Sequence, residues 1–157
     1  MVLKYPNKIL KKKSKEVKDI TPEIKELVLD MEKTMLKNKG IGLAAPQIGA
    51  LERIVLIQIG KEPAVFINPK IIKKSKEKEI MEEGCLSFPG IFLEIKRPRE
   101  IEVEALNLTG EKVLLKTEGL LSRIFQHEID HLDGILFIDR ISFWQRWKLR
   151  KKLHAIN

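Results

Sequence analysis

Gln126-His127-Glu128-Ile129-Asp130-His131 is the stretch on which the rest of the chain turns. Two histidines four apart on a helix point their imidazoles the same way, a geometry that can grip a metal ion. Glu128 lies about 100° round the helix from His127, near enough to reach a water beside the metal without being forced to ligate it. A base beside an activated water is the equipment of a hydrolase. The competing reading of these residues is a surface helix that carries two histidines by chance. Their context speaks for the first: Thr117 can cap a helix from about Glu118 to Leu132, Gly134 closes it, and Leu120, Ile124, His127 and His131 fall on one stripe.

Two histidines leave the ligand set short, because a catalytic site of this kind usually has three protein ligands and one position for water. One peptidase class takes the third from H-E-x-x-H-x-x-G-x-x-H; Gly134 is in register here, but the last position is Phe137, which cannot ligate. Asp133 and Asp139 lie too close to the helix end to fold back, and His154 sits in a lysine-rich terminal segment, where a solvated histidine is the simpler reading. Upstream, the only cysteine is Cys85, in the loop-like run Glu82-Glu83-Gly84-Cys85-Leu86-Ser87. Its thiolate would complete a Cys/His/His set. The alternative is a buried thiol acting as a small hydrophobe, against which stand two neighbouring acids and a glycine that allows close backbone approach. Arg97 and Glu83 flank the cysteine run and read either as a pair that orients it or as a surface pair.

The 157 residues, 43% hydrophobic and 33% charged, suit one globular domain over 1–157 with a proper core and no linker or repeat. No apolar run reaches the length of a membrane span, and Met1-Val2-Leu3-Lys4-Tyr5-Pro6 lacks the apolar core of a signal peptide. One cysteine excludes an internal disulfide framework, so the expected compartment is the reducing cytoplasm. The net charge of +8, with Lys11-Lys12-Lys13 and a tail carrying Arg146, Lys148, Arg150, Lys151 and Lys152, favours polyanionic neighbours or serves solubility and heat resistance. No RNA-binding signature with interleaved aromatics appears, and no specific DNA reader is expected.

Thr21-Pro22 reads as a helix cap with proline in the first turn, and Ile24, Leu27, Val28, Met31 and Met35 recur at helical spacing until Asn38-Lys39-Gly40. The next residues, Gly40-Ile41-Gly42-Leu43-Ala44-Ala45-Pro46-Gln47, match a G-x-G-x-x-A dinucleotide fingerprint in letters only, since a helix precedes them and Pro46 follows. They read better as a small-residue segment along which another backbone can lie, with Gln47 offering an amide donor. Arg53–Ile59 and Ala64–Ile67 form a hairpin across Gly60-Lys61-Glu62-Pro63, and Ile71 to Met81 is extended but lysine-rich. Ile101 to Leu106 alternates, turns at Thr109-Gly110 and returns through Val113 to Lys116, as antiparallel strands with one wet face do. Phe143 to Leu153 reads as a basic amphipathic helix with Phe143 and Trp147 on its inner face. The expected class is α+β: antiparallel sheets packed around a central metal-binding helix, with an N-terminal helix and a basic C-terminal one.

Three motifs, Gly40-Ile41-Gly42-Leu43-Ala44-Ala45-Pro46-Gln47, Glu83-Gly84-Cys85-Leu86-Ser87 and Gln126-His127-Glu128-Ile129-Asp130-His131, occur in an order and spacing that resemble the peptide deformylase family. The resemblance covers essentially the whole chain. It implies removal of the N-formyl group from nascent polypeptides beginning with formyl-methionine, with one divalent metal ion, usually Fe2+, although Zn2+, Ni2+ or Co2+ can occupy such ligands. It further implies that Cys85, His127 and His131 hold the metal, that Glu128 is the base, and that the Gln47 amide and Leu86 backbone N–H stabilise the oxyanion. By the same resemblance Ile41, Met81, Leu120 and Ile124 line a methionine pocket, and the Ile41 and Gly42 backbone pairs with the peptide as an added strand. Two rival classes remain: a zinc peptidase cutting internal bonds, and a non-catalytic, metal-stabilised module that binds the ribosome through its basic surface.

Overall fold

The computed structural model describes residues 1–156. After a 3-10 turn at Lys8–Lys11 the chain forms helix α1 (Pro22–Lys37), strand β1 (Gly42–Ala44), a 3-10 turn at Ala45–Ile48, and strands β2 (Ile54–Ile59) and β3 (Glu62–Lys74). There follow β4 (Lys78–Cys85), β5 (Phe88–Pro98), β6 (Glu100–Leu106), β7 (Lys112–Glu118), helix α2 (Gly119–Leu132), a 3-10 turn at Phe137–Arg140 and helix α3 (Phe143–His154). Five strands make one antiparallel sheet in the order β1-β2-β3-β6-β7, and β4 and β5 make a separate hairpin.

The sheet is covered on both faces by helices, which explains the unbroken apolar run of β2. Val55 and Ile57 face the α2 side with Phe66, Ile101, Val103, Phe125 and Leu132. Ile54 and Leu56 face the α1 side with Val28, Met31, Met35 and Ile67. A strand buried on both faces needs no alternation. At the other end of the sheet β6 keeps the expected pattern, with Ile101, Val103 and Ala105 buried and the residues between them more open. The antiparallel sheets, the central helix and the two flanking helices are as the sequence predicts.

Local differences have physical causes. Thr117 does not cap α2; it stays in β7 with a buried, unpartnered hydroxyl, and Glu118 is the N-cap, without a side-chain cap bond. Gly119 then enters the helix at φ 58, a left-handed conformation open to glycine. Cys85 ends strand β4 rather than lying in a loop: Glu83 pairs with Leu93 and Gly84 with Phe92 of β5, a non-local pairing that local composition conceals. Helix α3 turns the other way from the sequence expectation. Phe143 and Trp147 are exposed, and Leu149 and Leu153 instead pack with Leu10, Phe88, Leu136 and Phe137.

Candidate metal centre and active site

Three elements meet at the site. Helix α2 brings His127 and His131, the end of β4 brings Cys85, and the short turn after β1 brings Gln47. The donor atoms of Cys85, His127 and His131 all lie within 4.8 Å of one another, with Cys85 Sγ 3.3 Å from His131 Nε2. His127 is held from behind, its Nδ1 2.9 Å from Glu83 Oε2, which leaves Nε2 for a ligand. The ring of Phe137 packs edge-on against His127 at 5.8 Å, so the residue that could not be a ligand buttresses a candidate one.

Behind the donors lies a buried charge cluster. Arg97 donates to both oxygens of Glu83 (2.6 and 3.0 Å) and to Asp130 Oδ2 (2.7 Å). Arg123 donates to Glu83 Oε1 and to the Ile95 carbonyl, each at 2.7 Å, and Arg140 donates to both oxygens of Asp130. Arg97 is 3% exposed, which rules out a surface pair. Each buried carboxylate thus faces at least two guanidinium contacts, the condition under which buried ions are tolerated. Burial acts to raise the Glu83 carboxyl pKa, but hydrogen bonds from His127 and Arg97 outweigh it and hold the group well below the usual carboxylate range. Sequence reasoning found Glu83 and Arg97 but missed Arg123, Asp130 and Arg140. A signal was present for one: Arg123 lies one turn before His127 on the same face, an odd place for an arginine unless it is paired.

Glu128 is 5% exposed, and its Oε2 has no partner. Burial, chiefly, pushes its carboxyl up to about 7; the His127 and Arg97 charges oppose that rise and Glu83 adds to it. A carboxylate poised near neutrality suits a group that must both take and return a proton. Gly42 explains how β1 comes so close: a Cβ there would lie 2.5 Å from Glu128 Oε1 and 2.9 Å from Ile124. Gln47 is 1% exposed, its Oε1 accepting from the Ala44 N–H (2.8 Å) and its Nε2 pointing to Ser87 Oγ (3.3 Å) and Cys85 Sγ (3.6 Å). The accepting oxygen fixes the amide so that its NH2 faces the donor atoms.

A cleft of about 520 Å³ opens over these residues, lined among others by Ile41, Gly42, Gln47, Cys85, Leu86, Phe92 and Glu128. A smaller hollow of about 90 Å³ adjoins it, lined by Ile41, Leu120, Ile124, His127 and Glu128. The structure therefore brings Ile41, Leu120 and Ile124 together with Glu128. Met81 is the exception among the expected pocket residues: half-buried on β4 opposite Ile95, it lines neither hollow.

The donor chemistry fits a metal. One thiol and two imidazoles converge, and Glu128, whose buried Oε2 has no protein partner, lines the same cleft as Cys85 and His127. Burial, chiefly, lowers the His131 pKa well below its ordinary value, which favours the neutral imidazole.

Comparison with known proteins agrees with this arrangement. Residues 1–147 match the polypeptide deformylase family. The chain belongs to that family. The peptide deformylase of Pseudothermotoga lettingae is 49% identical over 148 residues, covering 94% of this chain and 86% of that protein. The peptide deformylase of Desulforudis audaxviator is 46% identical over 140 residues, covering 88% and 91%. Among solved structures, peptide deformylase from Plasmodium falciparum superposes with a TM-score of 0.93 at 39% identity, covering 99% of this chain and 94% of that one. A peptide deformylase from Legionella pneumophila gives 0.93 at 39%, covering 99% and 93%. Deformylase membership makes the chain a metallo-hydrolase and leaves neither the zinc peptidase nor the non-catalytic module with support. No helix among the described residues is long and apolar enough to cross a membrane.

Proposed function

We propose that this chain, as a single catalytic domain, removes the formyl group from the N-terminal formyl-methionine of nascent polypeptides, with Cys85, His127 and His131 as its metal ligands and Glu128 as its base. The observation that carries this reading is the convergence of those three donors beside a buried, unpartnered Glu128 oxygen at the free edge of β1. A divalent metal held there would polarise the formyl carbonyl and make water acidic enough to attack near neutral pH. We take that ion to be Fe2+, with Zn2+, Ni2+ or Co2+ as alternatives, since the mixed thiolate and imidazole set accepts each of them.

The protein's own groups supply the rest. Glu128 accepts a proton from the attacking water as the new C–O bond forms, then passes it to the amine nitrogen as the C–N bond breaks, giving formate and a free N-terminus. Gln47 Nε2 and the Leu86 backbone N–H donate to the oxygen on which negative charge develops; one such donor is typically worth about 3 kcal/mol of barrier. Ile41, Leu120 and Ile124 receive the methionine side chain, and the free edge of β1 at Ile41 and Gly42 takes the peptide backbone. Anaerobic purification with metal analysis should find one divalent ion per chain, and formyl-Met peptides should release formate while acetyl-Met peptides react poorly. Comparable turnover of both would overturn the assignment.

We extend the proposal to place. The single cysteine and a role in translation fit the cytoplasm. Helix α3, with Arg146, Lys148, Arg150, Lys151 and Lys152 and no acid from Phe143 to His154, would dock the enzyme on the ribosome, where phosphate contacts make binding steeply salt-dependent. Replacing those five residues with glutamine should weaken co-sedimentation with ribosomes at low salt; undiminished co-sedimentation would remove the docking role.

A further inference from the structure

Lys39 occupies an unusual backbone position beside the cleft. Helix α1 ends at the cap Asn38, and Gly40 N–H returns to the Met35 carbonyl at 3.0 Å, so Lys39 is the residue that must turn left-handed, at φ 52. That place in a helix end favours glycine, or asparagine, because a Cβ there crowds the backbone. Here the glycine comes one residue later and a lysine takes the strained turn. Lys39 is exposed and lines the cleft that holds Cys85, Gln47 and Glu128.

The charges along that cleft are unevenly spread. Its lining has two ammonium groups, Lys4 and Lys39, and one acid, Glu128 at the chemical centre. Lys4 keeps its charge but is held in place, since its Nζ donates to the Leu86 carbonyl. The acids Glu82 and Glu83 border the adjoining smaller hollow, where Glu83 is taken up by Arg97, Arg123 and His127. Lys39 is therefore the cleft's one cation with no hydrogen-bond or ion-pair partner among the described residues.

Strand direction sets what passes Lys39. Strand β1 runs from Gly42 toward Gln47, and its partner β2 leaves its other edge open. A formyl group must lie at the Gln47 and Glu128 end, so a peptide paired antiparallel to that edge runs backward past Gly42, Ile41 and Gly40. At roughly 3.3 Å per residue, the residues just after the formyl-methionine come within reach of the Lys39 side chain.

We propose that Lys39 is a specificity residue that favours peptides carrying an acidic side chain within the three residues that follow formyl-methionine. The inference rests on the deformylase reading of the site. A purely structural role, a cation complementing the C-terminal end of the α1 dipole, would leave peptide choice untouched. The test uses the metal-loaded enzyme and formyl-Met peptides in which one glutamate, glutamine or lysine is moved through the second, third and fourth positions.

At low salt kcat/KM for the best-placed glutamate should exceed that for lysine by about threefold to fivefold, the range of an exposed ion pair, and the ratio should shrink at high salt. Lys39→Asn, which tolerates the left-handed turn without charge, should lower the ratio toward one, with Lys4 still in place, and Lys39→Glu should lower it further. A ratio near one in the unaltered enzyme, or one indifferent to both substitutions, overturns the inference while leaving deformylation intact. Absence of formate from every peptide would instead defeat the reading on which it rests.

Discussion

Two arginine-bearing regions of this molecule treat charge in opposite ways. Between α2 and the β4–β5 hairpin, Arg97 and Arg123 are 3% and 5% exposed, and their guanidinium groups are locked to Glu83 and Asp130 at 2.6–3.0 Å. On α3, Lys148, Arg150, Lys151 and Lys152 are exposed; Arg150 lies 4.0 Å over the Trp147 ring and Arg146 meets Asp139 at 3.4 Å. The buried set cannot move without leaving a charge stranded in a dry interior, so it specifies one position for His127. The exposed set is screened by solvent and is free to meet a partner. Charge inside fixes the side chains around His127, and charge outside stays open to solvent.

Arg97→Ala should break that distinction most sharply. It removes contacts to two buried carboxylates at once, and loss of one partner from such a cluster costs about 3–5 kcal/mol. The melting temperature should fall by many degrees and metal affinity at least tenfold, because Glu83 would no longer be fixed behind His127. Equilibrium unfolding and a metal-binding titration measure the two losses separately. Unchanged values would make the cluster as dispensable as a surface pair.

A smaller effect comes from Glu128, a buried acid inside the same region that has no cation bonded to it. Its folded-state pKa rises from an ordinary 4.5 to about 7, so the stability it permits is fully present below 4.5 and is lost as pH climbs through about 7. Metal-free protein with Glu128→Gln should therefore gain on the order of 1–3 kcal/mol over the unaltered chain at pH 8 and little or nothing at pH 4. Denaturant titrations at the two pH values check the sign. Equal stability at both would mean that Glu128 is not the uncompensated buried charge described above.

Helix α3 should give the smallest change. Substituting glutamine for Lys148, Lys151 and Lys152 should move stability by no more than about 0.5 kcal/mol per site, since solvent already screens these groups. A large loss in thermal unfolding would place them in the structural class instead.

Much of the fold and of the candidate metal site was legible in the chain because the signals were local. The 3.6-residue stripe through Leu120, Ile124, His127 and His131, and the chemistry that only Cys85 could add, can both be read without knowing the pairing of distant strands. What escaped was non-local. Glu82-Glu83-Gly84 looks like a loop until β5 is placed beside it, and Asp130 gains meaning only when Arg97 and Arg140 arrive from elsewhere. Helix α3 misled for another reason: Phe143, Trp144, Trp147, Leu149 and Leu153 lie on both sides of it, so periodicity cannot choose the inner face. The seat made by Leu10, Phe88, Leu136 and Phe137 chooses Leu153.

The account stands most directly on the separation of base from ligand. Glu128→Ala and Cys85→Ala, each purified anaerobically, should be compared for bound metal and for formate release from a formyl-Met peptide. Glu128→Ala should keep its metal and lose turnover by at least about a hundredfold, whereas Cys85→Ala should lose both, because only the second change opens the ligand set. A Glu128→Ala enzyme that still releases formate at the unaltered rate would contradict the central claim.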